Sequence, residues 1–253
     1  MIMYSFKPVA IPNLPQNKAL HCLIGSENTA ESNELTQLGI IPLGVTPNPK
    51  LDDEIRSHAD MLTFNLGNGK LLTYDECVGE LLKGIPSVAC EVITKAVKSP
   101  YPDDIPLNAA FIGDKIICNK NYVAKEIIDF AECNNIKLIH TNQGYSKCSI
   151  CVVNENAVIT DDDSITTLLN NCQIDVLKIR KGEIYLSDKH YGFIGGASAK
   201  LSRDIMYFSG NIKKHSNYNE IIGFLRNYGI YAEFNSQRAL KDFGGLIQLT
   251  ESE

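Results

Sequence analysis

One grammar recurs five times along this chain: a short apolar strand, a polar capped helix, then a second short apolar strand. The units read Ala19–Ile24, helix Ser26–Leu38, Ile40–Val45; Lys70–Thr73, Asp75–Leu82, Ser87–Ile93; Lys115–Cys118, Tyr122–Cys133, Ile136–His140; Ala157–Thr160, Ser164–Asn171, Ile174–Ile179; and Ile205–Phe208, Tyr218–Tyr228, Ile230–Phe234. Ser26, Asp75 and Ser164 supply oxygens where helices should start, and Gly39 and Gly229 stand where they should stop. Before every unit but the first lies a further strand on a tight turn. The pairs are Met61–Phe64 with Asn68-Gly69, Ala109–Ile112 with Gly113-Asp114, Ser149–Val153 with Asn154-Glu155-Asn156, and Phe193–Ser198 turning into Leu201–Asp204. These turns centre near 69, 114, 155 and 202, about 41 to 47 residues apart. One further step reaches Leu246–Thr250, which has no partner left except Ala19–Ile24 at the other end. The pattern predicts a ring of five strand–strand–helix–strand units, an α/β propeller closed by its own termini, with residues 1–253 as a single domain. The alternative is an open α/β sheet of irregular topology.

Composition narrows the function. The formal net charge is -6, with 24 basic against 30 acidic residues, so no nucleic-acid partner is expected. No apolar run reaches the roughly 18 residues of a membrane span, and Met1–Lys7 has no basic start followed by an apolar stretch. Eight cysteines are too sparse for a disulfide scaffold. A cytosolic location with reduced thiols is the expectation.

The five-unit ring resembles the pentein propeller of the guanidino-group-modifying enzymes, which include arginine deiminase, dimethylarginine dimethylaminohydrolase, agmatine deiminase and the amidinotransferases. The resemblance spans roughly residues 19–250. Gly244-Gly245-Leu246-Ile247-Gln248-Leu249-Thr250 is similar to that family's Gly-Gly-x-x-Cys-Met/Leu-Ser/Thr segment. In the family the cysteine thiolate attacks the guanidinium carbon, a histidine shuttles the proton and acidic residues grip the cation. Here Gln248 stands at the nucleophile's place, and an amide forms no such covalent intermediate. Gln143-Gly144-Tyr145-Ser146 matches the family's Glu-Gly-Gly-Asp turn with both acids neutral, and Gly192–Ser198 offers no histidine where His-x-Asp belongs. His58-Ala59-Asp60 spells that motif, in another blade. The resemblance therefore implies the fold without standard deiminase or amidinotransferase chemistry. The chain looks like a member of an uncharacterised bacterial family of this fold lacking the deiminase cysteine.

Several constellations could carry chemistry. His58 and Asp60, two apart at a strand start, can share a face, and a carboxylate beside an imidazole raises its basicity. Cys148-Ser149-Ile150-Cys151 reads as strand, so its thiols face opposite ways; no second Cys/His cluster completes a metal site, and no metal or other cofactor is expected. Cys148 alone is the fallback nucleophile. The run Gly192–Ser198, with Gly195 and Gly196, either packs closely at the axis or lets a backbone approach a ligand. Asp161-Asp162-Asp163 reads as an acidic helix start capped by Ser164, and Lys213-Lys214-His215 as a solvated loop. The expected partner is a small polar molecule, a guanidino or amino-acid compound, in a central channel lined by His58, Asp60, Asn108, Gln143, Lys147, Gly195, Gly196, Ser198, Asp242 and Gln248. Two alternatives are a divergent hydrolase using Cys148 or a His58–Asp60 base, and a non-catalytic macromolecule-binding ring like the ribosome anti-association factor.

Overall fold

The structure is a computed structural model that describes residues 5–253; Met1–Tyr4, part of the segment read for a leader, lie outside them. Five three-stranded sheets form the blades, and each has the same internal order. In the second blade Thr63–Gly67 pairs antiparallel with Lys70–Thr73, which pairs in parallel with Ala89–Val92. The third repeats this with Ala110–Ile112, Lys115–Cys118 and Lys137–His140, the fourth with Cys151–Asn154, Ala157–Thr160 and Asp175–Lys178. Ser198–Lys200, Ile205–Phe208 and Tyr231–Phe234 make the fifth. The first blade is assembled from both ends of the chain: Ile247 lies opposite Leu23 and Gln248 opposite Cys22, while His21–Gly25 runs parallel to Ile41–Val45.

A parallel pair cannot be joined by a tight turn, so each blade needs a crossover, and a helix supplies it. Crossover helices run Thr29–Gln37, Cys77–Leu81, Lys125–Cys133, Asp163–Asn170 and Tyr218–Asn227. The last three each bury a pair four residues apart: Ile127 and Ala131, Ile165 and Leu169, Ile221 and Leu225. Such spacing puts both side chains on the face turned to the sheet.

The core lies between blades, and its clusters run round the ring. Leu23, Leu72 and Ile116 join the first three blades; Ile117 and Val158 join the third to the fourth; Ile159 and Phe208 join the fourth to the fifth. Tyr207 and Ala199 of the fifth meet Cys22, Ile24 and Phe243 of the first, with the Tyr207 and Phe243 rings edge-on at 6.3 Å. The circle therefore closes. Phe6–Pro8 adds a strand that pairs with Thr250–Ser252, a second tie between the termini that the repeat does not announce.

The two-residue turn at Asn68-Gly69 has φ of 51° and 77°, the left-handed pair expected of a tight hairpin, and Gly39 and Gly229 end their helices at φ 76° and 69°. Other expectations need correction. Met61–Phe64 does not begin as strand: Ala59–Leu62 is a single helical turn and the strand starts at Thr63. Likewise Ser146–Ser149 is a helical turn ahead of Cys151–Asn154, so Cys148 is not a strand residue, and Phe193–Ala197 is a turn ahead of Ser198–Lys200. Apolar content fitted a strand equally well at these points; the backbone coils because each blade bends inward to the axis there. Ser26 and Ser164 are not the caps. Asn28 precedes the first helix, and Asp162 caps its own by accepting from Ile165 N at 2.9 Å. His215 is buried rather than solvated, and its Nδ1 accepts from Asn217 N. Among the described residues no helix is long and apolar enough to cross a membrane.

Candidate functional site

The inward bends deliver side chains to the axis, and at one end of it they floor a cleft of about 420 Å³. His58, Cys148 and Asp242, from three blades, form the buried base. Tyr145, Tyr191 and Phe193 make an aromatic wall, with ring centroids 6.2 and 6.3 Å apart. Asp52, Glu54, Lys189 and His190 stand at the mouth. There Glu54 accepts from Ser187 Oγ at 2.6 Å and lies 2.8 Å from His190 Nδ1, so the segment around 187–190 is strapped across to the loop that precedes His58.

Behind the base the groups are tightly coupled. Cys148 Sγ donates to Asp60 Oδ2 at 3.2 Å, while Asn108 Nδ2 donates to the same sulfur at 3.0 Å and to the Asp60 carbonyl at 3.1 Å. Asn108 Oδ1 accepts from Lys147 N at 2.8 Å, so one amide side chain ties the two helical turns together. Burial raises the Asp60 carboxyl to about 6, against the pull of His58 and Lys147. Burial also pushes the Cys148 thiol well up, and the carboxylates of Asp60 and Asp242 push it further. The thiol is thus held protonated, unlike the low-pKa thiol of a redox Cys-x-x-Cys. Cys151, three residues on, points away into the core beside Met206.

Asp242 explains the run of glycines. Its Oδ2 accepts from Phe193 N at 2.9 Å and its Oδ1 from Gly244 N at 3.0 Å. A Cβ at Gly192 or Gly196 would come within 2.3 or 2.0 Å of this side chain. Gly244, at φ 78°, presses on His58, where a Cβ would lie 2.4 Å from the His58 Cα. These glycines leave room for an acid and an imidazole; Gly196 N donates to Cys148 O, and Gly195 abuts the carbonyls of Lys147, Cys148 and Ile150.

Of the residues proposed to line the channel, His58, Asp60, Asn108, Lys147 and Asp242 come together, with Gly195 and Gly196 packed against them and the fallback nucleophile Cys148 in their midst. Gln143, Ser198 and Gln248 do not join them. Gln143 sits outside, donating to Asp162 Oδ2 at 3.0 Å. Gln248 and Ser198 face voids of about 10 Å³ at the far side of the axis, room for about one water. Gln248 Nε2 donates to Lys200 O at 2.8 Å and its backbone carbonyl accepts from Asn65 Nδ2; Ser198 Oγ donates to Ile194 O. The channel is therefore plugged at the place that matches the pentein nucleophile. Sequence reasoning missed the mouth and the aromatic wall. Their signal was positional: loops joining one unit's last strand to the next unit's first all emerge at one end of a ring.

The model of a "family of unknown function (DUF6873)" matches residues 23–247. The chain belongs to this family. No curated protein matches the sequence. Among solved structures, a dimethylarginine dimethylaminohydrolase from Pseudomonas aeruginosa complexed with citrulline superposes with a TM-score of 0.57 at 8% identity, covering 93% of this chain and all (100%) of that one. C. jejuni agmatine deiminase gives 0.56 at 11%, covering 100% and 98%, and the inosamine-phosphate amidinotransferase of Streptomyces griseus 0.55 at 10%, covering 95% and 96%. At such identities the likeness is one of fold. This DUF6873 member is a five-bladed pentein closed by its two termini.

Proposed function

We propose that the protein binds a small polar compound of the guanidino or amino-acid class in the axial cleft, without the standard deiminase reaction. The observation that carries this reading is the cleft itself: acids at base and mouth, Asp242, Asp52 and Glu54, beside a wall of aromatic rings. A guanidinium or ammonium group gains from both, through charge-assisted hydrogen bonds and through the faces of the rings. Structural neighbours bearing citrulline or a bound substrate support the choice of ligand class. The test is a thermal melt with agmatine, arginine and citrulline, using an acidic amino acid as control. A saturable rise with at least one of the three, lost in a Glu54→Gln/Asp52→Asn double variant, is the expected result. If none shifts the melting temperature at millimolar concentration, the guanidino assignment fails.

A second reading, covalent hydrolysis through Cys148, is favoured by one observation: its sulfur is at the base of the cleft with a carboxylate 3.2 Å away that can take the proton. The thiol would then need a ligand to displace that carboxylate's grip. Cys77 and Cys133 are exposed and would react first with a labelling reagent, so the test uses a variant with both changed to Ser. Ligand-dependent labelling of Cys148, and turnover abolished by Cys148→Ala, are expected of an enzyme. Equal and slow labelling with and without ligand counts against it.

A further inference from the structure

We propose that His58, Asp60 and Cys148 form a binding site for a divalent transition-metal ion, with zinc the best match. They are the one cluster among the described residues in which at least three potential ligands of this kind converge, every donor atom within 4.8 Å of the others. All three residues are buried, so this is no loose patch of surface acids. Imidazole, thiolate and carboxylate are the borderline-soft donor set of zinc, not the all-oxygen set of calcium or magnesium. Donors bonded to zinc at about 2.0 to 2.3 Å lie roughly 3.3 to 3.8 Å from one another in a tetrahedron. The Cys148–Asp60 pair is already at 3.2 Å, and the imidazole, within 4.8 Å of both, needs to move by at most about 1.5 Å.

A second observation points the same way. His58 Nδ1 and Asp60 Oδ1 are buried with no hydrogen-bond partner among the described residues. The nearest acid to that nitrogen, Asp242, stands 3.8 Å off, too far for a hydrogen bond. Orphaned buried polar atoms are rare, and two in one three-residue cluster are what ligand atoms without their ion look like. Charge agrees. Asp60, Asp242 and a Cys148 thiolate bring three negative charges, Lys147 returns one, and a divalent ion balances the rest. Binding would form a metal–sulfur bond and release the thiol proton to solvent. Asn108, donating to the sulfur, acts as the outer partner that orients a ligand. Because His58 and Cys148 also line the cleft, the fourth position of a tetrahedral site would open towards it. That is the open arrangement of a reactive or ligand-receiving site rather than a closed structural one.

The test is direct titration of chelator-treated protein, with Cys77 and Cys133 changed to Ser, by Zn2+ and then Co2+. We expect one equivalent of Zn2+ bound at micromolar or tighter affinity, and a Co2+ complex with a near-ultraviolet thiolate charge-transfer band. Cys148→Ser should erase the band, and Asp60→Asn should weaken Zn2+ affinity by about 10-fold or more. If Cys148→Ser fails to fold, the folded Asp60→Asn protein and the parent decide the matter. Absence of stoichiometric Zn2+ binding by the parent, or a cobalt band that survives Cys148→Ser, overturns the site. The inference stands apart from the ligand reading, because a metal at the base places positive charge where a guanidinium would sit. Agmatine should then shift the melting temperature of the metal-free protein alone. A shift from agmatine without zinc binding sinks only the metal site; zinc binding without any shift sinks only the guanidino assignment.

Discussion

Asp161→Asn should stabilise this protein at neutral pH and slightly destabilise it in acid. Asp161 follows the central strand of the fourth blade, is 2% exposed, and neither carboxylate oxygen has a hydrogen-bond partner among the described residues. Burial raises its carboxyl from 3.8 to about 6, with Lys181 opposing the rise and Asp162 and Asp242 adding to it. A folded-state pKa above the unfolded one means the native chain holds this proton more tightly. The stabilising contribution is complete below about pH 4, fades as pH rises towards 6, and is gone above it. At 1.36 kcal/mol for each unit, ionising a buried Asp161 costs about 3 kcal/mol at pH 7. An asparagine carries no charge but leaves its own amide short of partners, which returns about 1 to 2 kcal/mol of that gain. The net expectation is a gain of about 1 to 2 kcal/mol at pH 7.5 and a loss of about 1 kcal/mol at pH 4, where little ionisation cost is left to remove. Urea denaturation of parent and variant at both values, on either side of the isoelectric point near 5.4, reads the difference while other titrating groups cancel. A variant less stable than the parent at pH 7.5, or a gain equal at the two pH values, would show that Asp161 is not a buried and uncompensated acid.

Three further outcomes follow from the geometry. Gly244→Ala forces a side chain onto φ 78° and against the His58 backbone, so a loss of about 2 to 4 kcal/mol is expected in urea melts, together with loss of metal binding. Phe243→Ala opens a hole in the seam between the fifth and first blades, where the ring is wholly buried against Tyr207; the loss should be about 3 to 5 kcal/mol, and under 1 kcal/mol would deny that this seam closes the propeller. Gln248→Cys restores the residue type that the pentein motif calls for, yet no citrulline or ammonia should form from arginine or agmatine, because the space beside it admits about one water. Product formation by that variant would mean that the working cleft lies at the other end of the axis.

The repeat was legible because it rests on short-range signals. Turn residues at Asn68-Gly69 and stops at Gly39 and Gly229 depend on backbone chemistry, and strands such as Lys70–Thr73, Ala157–Thr160 and Ile205–Phe208 fall where their apolar runs begin and end. The site was half legible. His58, Asp60 and Cys148 could be named as reactive types at blade entries, but nothing local says that residues 88 positions apart share a hydrogen bond. Gln143 and Gln248 were chosen by analogy with family positions. Which of several axial residues reach the cleft is set by how much bulk fills the axis, and that is a packing result. Asp161 was misread for a related reason: in Asp161-Asp162-Asp163 one acid caps and one is buried, and a run of identical letters does not say which.

The pseudo-fivefold ring also accounts for where the candidate site lies. Each blade bends inward just before its first strand, so five equivalent positions meet around one axis. Here they hold Asp242, then His58 with Asp60, then Asn108, then Lys147 with Cys148, then Gly195-Gly196. Because these positions are near-equivalent in space, a reactive group can be lost from one blade and recovered in another without disturbing the scaffold. The constraint is volume: a charged side chain entering from one blade needs an absence of side chain in its neighbour, as Asp242 needs Gly192 and Gly196. Gln248 sits one step outside this ring of five, turned to the plugged side, and its amide is absorbed by Lys200 O. A side chain at that position is therefore turned away from the cleft, and the groups that reach the cleft are those the inward bends deliver.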